Sequence, residues 1–511
     1  MTADQKLDHR PSRRTVLSAL AAAGVVGATG TPAFAESGLP DRIQAILGRP
    51  EFQGSRWGMA FHSSSGPVYT LNPGELFVAA SSFKIFIGAT AFDALGPDHR
   101  LRTTVYRTGP VAAGVLKGDL VLVAGGDMLL SNRVRPDGTL ELRHPDHANP
   151  GAPPLPGDRI ADIRHLAAQV RAAGIRRIEG KVVVDTSLFR EGRESIAFNN
   201  AMITVSPIMI NDHVVHAIVT PGDSVGAPAV IQSNPSTDHV RFVNEVSTVS
   251  GAPRRLVVSE DGKVTGDIQL GSPPQYVAYY VPDPTPFATT VFTETLRDKG
   301  IRVEGRTCPG RPHRVKVAEI VALPLSEQAK VMLKVSSNIH TVTLPYVVGA
   351  IAGREPINAK ASYEEYRRSL FRAAGLPADP TGSVDGNFSA DTFIKFLTHV
   401  SRRPYFAPLR DALPIMGRDG TLAMNQPNSP AAGHVYAKTG SGVRFVPTGG
   451  AEVNKALAGY IRLPDRRWVT FAQFMNQTSP SIESANVLAD QAQEAMAEIA
   501  TCVYEMTGDK A

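Results

Sequence analysis

Cysteine is nearly missing from this chain: 511 residues contain only Cys308 and Cys502. Two cysteines cannot build the disulfide framework of a small secreted domain, and the sequence leaves open whether they pair. Tryptophan is as scarce, with two residues, and aromatics make up only 7%. No lysine-arginine run with interleaved aromatics occurs, and a formal net charge of +5 is too mild to argue for a nucleic-acid partner. Long apolar runs are lacking too. The stretch from Val16 to Val26 is broken by Gly24 and followed by Gly27, Thr29, Gly30, Thr31 and Pro32, short of the ~20 apolar residues a membrane-spanning helix needs. No G-x-S-x-G elbow and no phosphate-cradling P-loop is found. His144-Pro145-Asp146-His147 offers metal-ligating residue types. It lies in the proline-rich stretch Pro136–Pro156, without a paired cluster elsewhere, so it reads as a solvated, mobile loop with no metal.

What is present begins with an address. Ser12-Arg13-Arg14-Thr15-Val16-Leu17 is a twin-arginine pattern ahead of the apolar stretch, and Ala33-Phe34-Ala35 supplies the small residues that a signal peptidase reads. Residues 1–35 are therefore expected to be a signal peptide and Glu36 the mature N-terminus. The signal carries Lys6, Arg10, Arg13 and Arg14 against Asp4 and Asp8, so removing its +2 from +5 leaves about +3. The expected location is the periplasm or extracytoplasmic cell-wall space, reached by the twin-arginine route, with no transmembrane anchor in the mature chain. That route carries folded proteins out of the reducing cytoplasm, so a disulfide essential for folding is not expected.

A hydrophobic fraction of 42% and a mean hydropathy of −0.09 suit ordinary globular cores, and the length suits more than one domain. Trp57–His62 and Val68–Leu71 read as strands around a turn at Ser63–Gly66. Phe83, Phe86, Ile87, Phe92 and Leu95 then recur at helical spacing behind Ser81. From about Leu101 the texture becomes β-rich, with Asp119–Val123, Lys181–Asp185, His239–Val243 and Arg255–Val258 as strands and Asp158–Ala173 as a helix. Helical sequence returns after about residue 310, at Ser326–Ser336 and Ala361–Ala374. Strands are expected at Val435–Lys438, Ala456–Leu463 and Trp468–Met475, and a closing amphipathic helix at Ser484–Met506. Its acidic polar face points to packing on the sheet rather than on a membrane. The expected division is a first catalytic part at 36–100, a β-rich accessory insertion at 101–303 and a second catalytic part at 304–511.

Three motifs fall in order across that division: Ser81-Ser82-Phe83-Lys84, Ser336-Ser337-Asn338 and Lys438-Thr439-Gly440. Each alone is common; an ordered set behind an export signal is not. Ser81 and Lys84 lie three apart on one helix and so share a face. A lysine of ordinary pKa, near 10.4, is a poor base at neutral pH, but burial and a second cation, Lys438, both favour its neutral form. Ser336 can pass a proton toward a leaving nitrogen, and Asn338 can hold a substrate amide. Lys438 suits a substrate carboxylate, Thr439 adds a hydroxyl, and Gly440 permits close approach. The backbone N–H groups of Ser81 and Ser441 are the natural oxyanion donors.

The set resembles the equipment of penicillin-binding proteins and serine β-lactamases. Within that group the chain resembles the D-alanyl-D-alanine carboxypeptidase/endopeptidase family related to penicillin-binding protein 4, over roughly residues 40 to 480. The likeness includes Gly118–Asp127, Ile178–Asp185 and Leu413-Pro414-Ile415-Met416-Gly417-Arg418-Asp419-Gly420-Thr421-Leu422. It implies an α/β (α+β) fold in which an antiparallel sheet flanked by helices is interrupted by a two-domain β-rich insertion. It also implies an exported serine peptidase acting on peptidoglycan stem peptides through an acyl-enzyme on Ser81, acylated by β-lactams, and needing no cofactor. Departures occur at Asp385-Gly386-Asn387-Phe388-Ser389, within Ile339–Thr343, and in an expanded Val443–Lys455. A β-lactamase or esterase with the same site, or a slow-turnover wall-binding or sensor module, are the alternative readings.

Overall fold

The computed structural model describes residues 38–196, 201–308, 314–380, 386–446 and 449–506. The expected signal peptide and Asp385 lie outside them. A five-stranded antiparallel sheet organises the first layer, in the order Gly66–Leu71, Arg56–Ser63, Trp468–Ser479, Ala451–Arg462, Val435–Phe445. The last three are consecutive in the chain, as expected, but longer than their apolar runs. The expanded stretch after Gly440 extends the hairpin, with Val443 opposite Val453 and Phe445 opposite Ala451.

The sheet is covered on both faces. Ile482–Tyr504 packs on one through Ala485, Ala492, Met496 and Val503, joined by Ile43 and Ile46 of the first helix, Leu39–Leu47. On the other lie Lys84–Leu95, Leu325–Lys334, Asn338–Gly353 and Ala390–Val400. Every residue from Lys84 to Phe92 is buried, so these first turns of the helix are almost wholly apolar because they have no solvent face, and only the last turn, at Asp93, reaches water. Phe86 is its anchor, with its ring centroid 4.7 to 5.2 Å from those of Phe371, Phe388, Phe393 and Phe396.

Between Leu95 and Leu325 the chain builds separate sheets. One runs Val315–Val321, Arg102–Arg107, Leu120–Val123, Val182–Asp185, with Ala161–Ala172 and Pro284–Asp298 closing its core. Leu120–Val123 thus pairs with Arg102–Arg107 and not with the five-stranded sheet. Val315–Val321 covers the other edge of Arg102–Arg107 and buries Ala318. The chain therefore returns to the first layer after Val321, later than the boundary expected at Val303. A smaller core forms where Val214–Thr220 meets the sheet of Val243–Val249 and Lys263–Gln269. The strand expected at His239–Val243 starts only at Val243, where Lys263 becomes available as a parallel partner. Val240 is instead inserted into the neighbouring core.

These layers are not insulated. Phe189, Ile203, Val205, Met209 and Val214 from the inserted sequence share one buried cluster with Phe86, Leu333, Leu344 and Phe393.

The stretch Pro136–Pro156 departs furthest from expectation. Leu140, Ala148, Ala152 and Leu155 are buried, and so are Asp146 and His147, both 0% exposed. Only His144 and Pro145 of the four-residue motif stay at the surface. The solvated-loop reading fails because Asp146 and His147 find polar partners at Arg133 and Asp212. Leu129 and Leu140 also pack on Val331 and Val335 of the helix that precedes Ser336.

Candidate active site

The three motifs converge where the sheet's outer strand, Val435–Phe445, meets the start of the buried helix. Ser81 sits on a single 3₁₀ turn, Ala80–Phe83, that leads into Lys84–Leu95. Ala80 immediately before it has φ of 42°, a left-handed conformation that a non-glycine residue adopts only at a cost. Ser82 fixes the turn by donating its hydroxyl to the Ala79 carbonyl at 2.7 Å. The departure at Asn387–Phe388 has a place here as well: it pairs with Phe77–Val78, the segment leading into the turn. Ser389 caps the following helix by accepting from Thr392 N–H at 3.2 Å.

Lys84, the first residue of the helix, is 1% exposed. Its Nζ donates to the Ser336 carbonyl at 2.7 Å, Ser336 Oγ at 3.1 Å and Asn338 Oδ1 at 2.6 Å. The first two motifs are therefore joined through one ammonium, with Ser336 held in a left-handed conformation at φ 62°. Burial pushes the pKa of Lys84 down to about 7, with the charge of Asp146 opposing the shift.

Lys438 is 0% exposed. Its pKa is well below the usual lysine range because of burial first, then the charges of Lys84 and Lys455. It donates to the Thr439 carbonyl at 3.0 Å, and Thr439 Oγ1 meets Thr421 Oγ1 at 2.8 Å. Gly440 abuts the Ala80–Phe83 turn: a Cβ there would stand 2.4 Å from the Ala79 carbonyl oxygen and 2.9 Å from Ala456 Cβ. The close approach its missing side chain allows is thus between strand and turn. Ala437 N–H donates outward to the Pro414 carbonyl, and the Val435 carbonyl accepts from Met416 N–H. Alternation along the strand then points the backbone groups of Thr439 and Ser441 the same way, into the cleft.

Sequence reasoning missed three contributors. Lys334, two residues before Ser336, donates to Asp419 at 2.7 and 2.9 Å and to the Leu413 carbonyl at 2.8 Å. Asp419 in turn accepts from Ile415 N–H at 2.9 Å. This ion pair shapes the loop that presents Thr421 to Thr439. Gly420 fits under it because a Cβ would lie 2.6 Å from the Lys334 carbonyl oxygen. Lys455, opposite Ser441 in the sheet, is the second cation near Lys438, and burial lowers its pKa to about 8. His144 stands beside Lys438 and against the backbone of Val335; desolvation, then the Lys438 charge, lowers its affinity for a proton. Nothing in the spacing of Lys334, Lys455 or His144 relative to the motifs signals these contacts.

A serine on a strained turn, a buried lysine of lowered pKa and a second buried lysine on the edge strand define a serine peptidase of the penicillin-binding-protein and β-lactamase-like class. Comparison with known proteins is specific. Residues 39–502 match the model of the D-Ala-D-Ala carboxypeptidase 3 (S13) family. A D-alanyl-D-alanine carboxypeptidase of Actinomadura sp. is 27% identical over 465 residues, spanning 84% of this chain and 79% of that protein. The D-alanyl-D-alanine carboxypeptidase DacB of Haemophilus influenzae is 23% identical over 470 residues, spanning 87% and 89%. The crystal structure of penicillin binding protein 4 from Haemophilus influenzae superimposes with a TM-score of 0.63 at 18% identity, covering 92% of this chain and 99% of that one, and supports the fold. The chain belongs to the D-Ala-D-Ala carboxypeptidase 3 (S13) family and is a serine-type carboxypeptidase.

Proposed function

We propose that the enzyme acts through an acyl-enzyme on Ser81, with peptidoglycan stem peptides as substrates. The single observation that carries this reading is Lys84, a buried amine held at about neutral pKa between Ser336 and Asn338, three residues from Ser81. In the neutral form Lys84 takes the Ser81 hydroxyl proton as Oγ attacks the carbonyl of the penultimate D-Ala. The N–H groups of Ser81 and Ser441 hold the oxyanion. Collapse breaks the C–N bond, and Ser336 relays a proton from Lys84 to the departing nitrogen. Water then hydrolyses the ester. Lys438 and Thr439 hold the terminal carboxylate, Asn338 the substrate amide, and Gly440 keeps the strand seated against the turn. Leaving groups that fit are a terminal D-Ala or the diamino acid of a cross-link. The division into catalytic parts and an accessory insertion, ending after Val321, belongs to the same proposal.

Benzylpenicillin is the test. It combines a strained amide with a carboxylate, and its ring nitrogen stays attached after opening, so the adduct persists. Intact-mass measurement should show one added penicillin, mapped to the peptide containing Ser81 and missing from Ser81→Ala. Labelling that survives Ser81→Ala would falsify the nucleophile assignment. Release of D-Ala from a pentapeptide separates a peptidase from a slow-turnover binder.

Export by the twin-arginine route rests on Arg13-Arg14 ahead of the apolar stretch. Replacing both by lysine should leave precursor in the cytoplasm; normal secretion of that variant would overturn this assignment.

A further inference from the structure

Arg133, Asp146, His147, Asp212 and His340 are each 0% exposed. They come from three separate places: the excursion 131–157, the turn Asn211–His213 before the strand Val214–Thr220, and the helix that opens on Asn338. The Arg133 guanidinium donates to Asp146 Oδ1 at 2.7 Å and also to Asp212 Oδ2. His147 Nε2 lies 2.8 Å from Asp212 Oδ2, and His340 Nε2 lies 3.4 Å from Asp212 Oδ1. One donor atom each from Asp146, His147 and Asp212 fall within 4.8 Å of one another. Asp146 Oδ2 has no hydrogen-bond partner.

The Arg133 guanidinium takes Asp146 Oδ1 and leaves Oδ2 buried without a partner among the described residues. An orphaned buried carboxylate oxygen is costly unless a cation meets it. Two imidazole nitrogens and carboxylate oxygens are a donor set that zinc accepts in four-coordinate sites.

We propose that Asp146, His147, Asp212 and His340 bind one divalent transition-metal ion, with zinc the best match to their donors, as a structural staple between the inserted loop and the helix carrying Asn338. Arg133 keeps its bond to Asp146 Oδ1 and orients that carboxylate from outside, while the unpartnered Oδ2 faces the ion. Metal then ties the excursion to the catalytic layer in addition to the packing of Leu129 and Leu140 on Val331 and Val335.

The mature chain, prepared without a histidine tag or chelating column, is loaded with Zn²⁺, dialysed and measured by elemental mass spectrometry. About one zinc per chain is expected. Loading with Co²⁺ instead should give visible absorption bands of a four-coordinate site. His147→Ala and Asp212→Asn should each lose the metal, and chelation of the wild type should lower its denaturation midpoint. Should those variants fail to fold, His340→Ala, together with the wild-type stoichiometry and cobalt spectrum, still decides. Wild type that retains neither zinc nor cobalt would show that Arg133 is the only cation the cluster takes and would overturn the proposal. Metal retained in full by folded His147→Ala, Asp212→Asn or His340→Ala would place the ion elsewhere and overturn it equally.

Discussion

The two lysines of the candidate site are chemically identical and electrostatically unlike. Lys84 satisfies its three N–H donors on Ser336 and Asn338, whereas Lys438 has, among the described residues, only the carbonyl of the next residue. If Lys84 acts when neutral, acylation by benzylpenicillin should rise with pH through an inflection near 7; a profile flat from pH 5 to 9 would count against Lys84 as the base. Lys438→Met removes a buried amine that has no anionic partner among the described residues. It should stabilise the fold by about 1–3 kcal/mol while impairing substrates that carry a free carboxylate more than amidated analogues. Calorimetry and paired kinetics check the two halves. The linkage sign follows from the lowered values of Lys84, Lys438 and Lys455. The unfolded chain binds more protons than the folded one between about pH 7 and 10, so stability from these groups grows as pH rises. The growth should be smaller in Lys438→Met. All the motif residues were legible in the sequence because their order is a pattern. Lys334 and Lys455 were not, because their tasks depend on contacts made across 85 and 38 residues of chain respectively.

At the level of elements, the site is a junction between one strand and one turn, and Gly440 sets the gap. Gly440→Ala would drive a methyl group into the Ala79 carbonyl and Ala456. Backbone must yield there, because neither contact is the end of a flexible side chain. A displacement of about 1 Å between nucleophile and strand should cost about a hundredfold in acylation rate. Unchanged acylation in a folded Gly440→Ala protein would mean the junction is not tight. Lys334→Met acts one step further out, by freeing Asp419 and with it the Thr421–Thr439 contact. Its loss should be smaller and should fall mainly on KM. Strand and helix periodicity made most elements readable, from Arg56–Ser63 to Trp468–Ser479. It failed at His239–Val243, where an apolar alternation is spent on two different cores, and at 136–156, where proline and charge disguise buried positions.

At the scale of the whole molecule, the sheets built between Leu95 and Leu325 and the layer around the five-stranded sheet share apolar contacts that neither can give up cheaply. Phe189, Met209 and Val214 sit in the same cluster as Leu344 and Phe393. Heating should therefore produce one cooperative transition rather than two, and a chain with 101–321 replaced by a short linker should be insoluble. Two resolved calorimetric peaks, with the first leaving penicillin binding intact, would show the layers to be independent.

The burial of every residue from Lys84 to Phe92 also has a consequence in time. Amide protons with no path to water exchange only when the whole molecule opens. Deuterium should reach Ile85–Phe92 at the rate of global unfolding, long after it has labelled the amide of exposed His144. The helix that carries the proposed general base is then on the slowest clock in the protein, and the exposed loop beside it runs on a faster one.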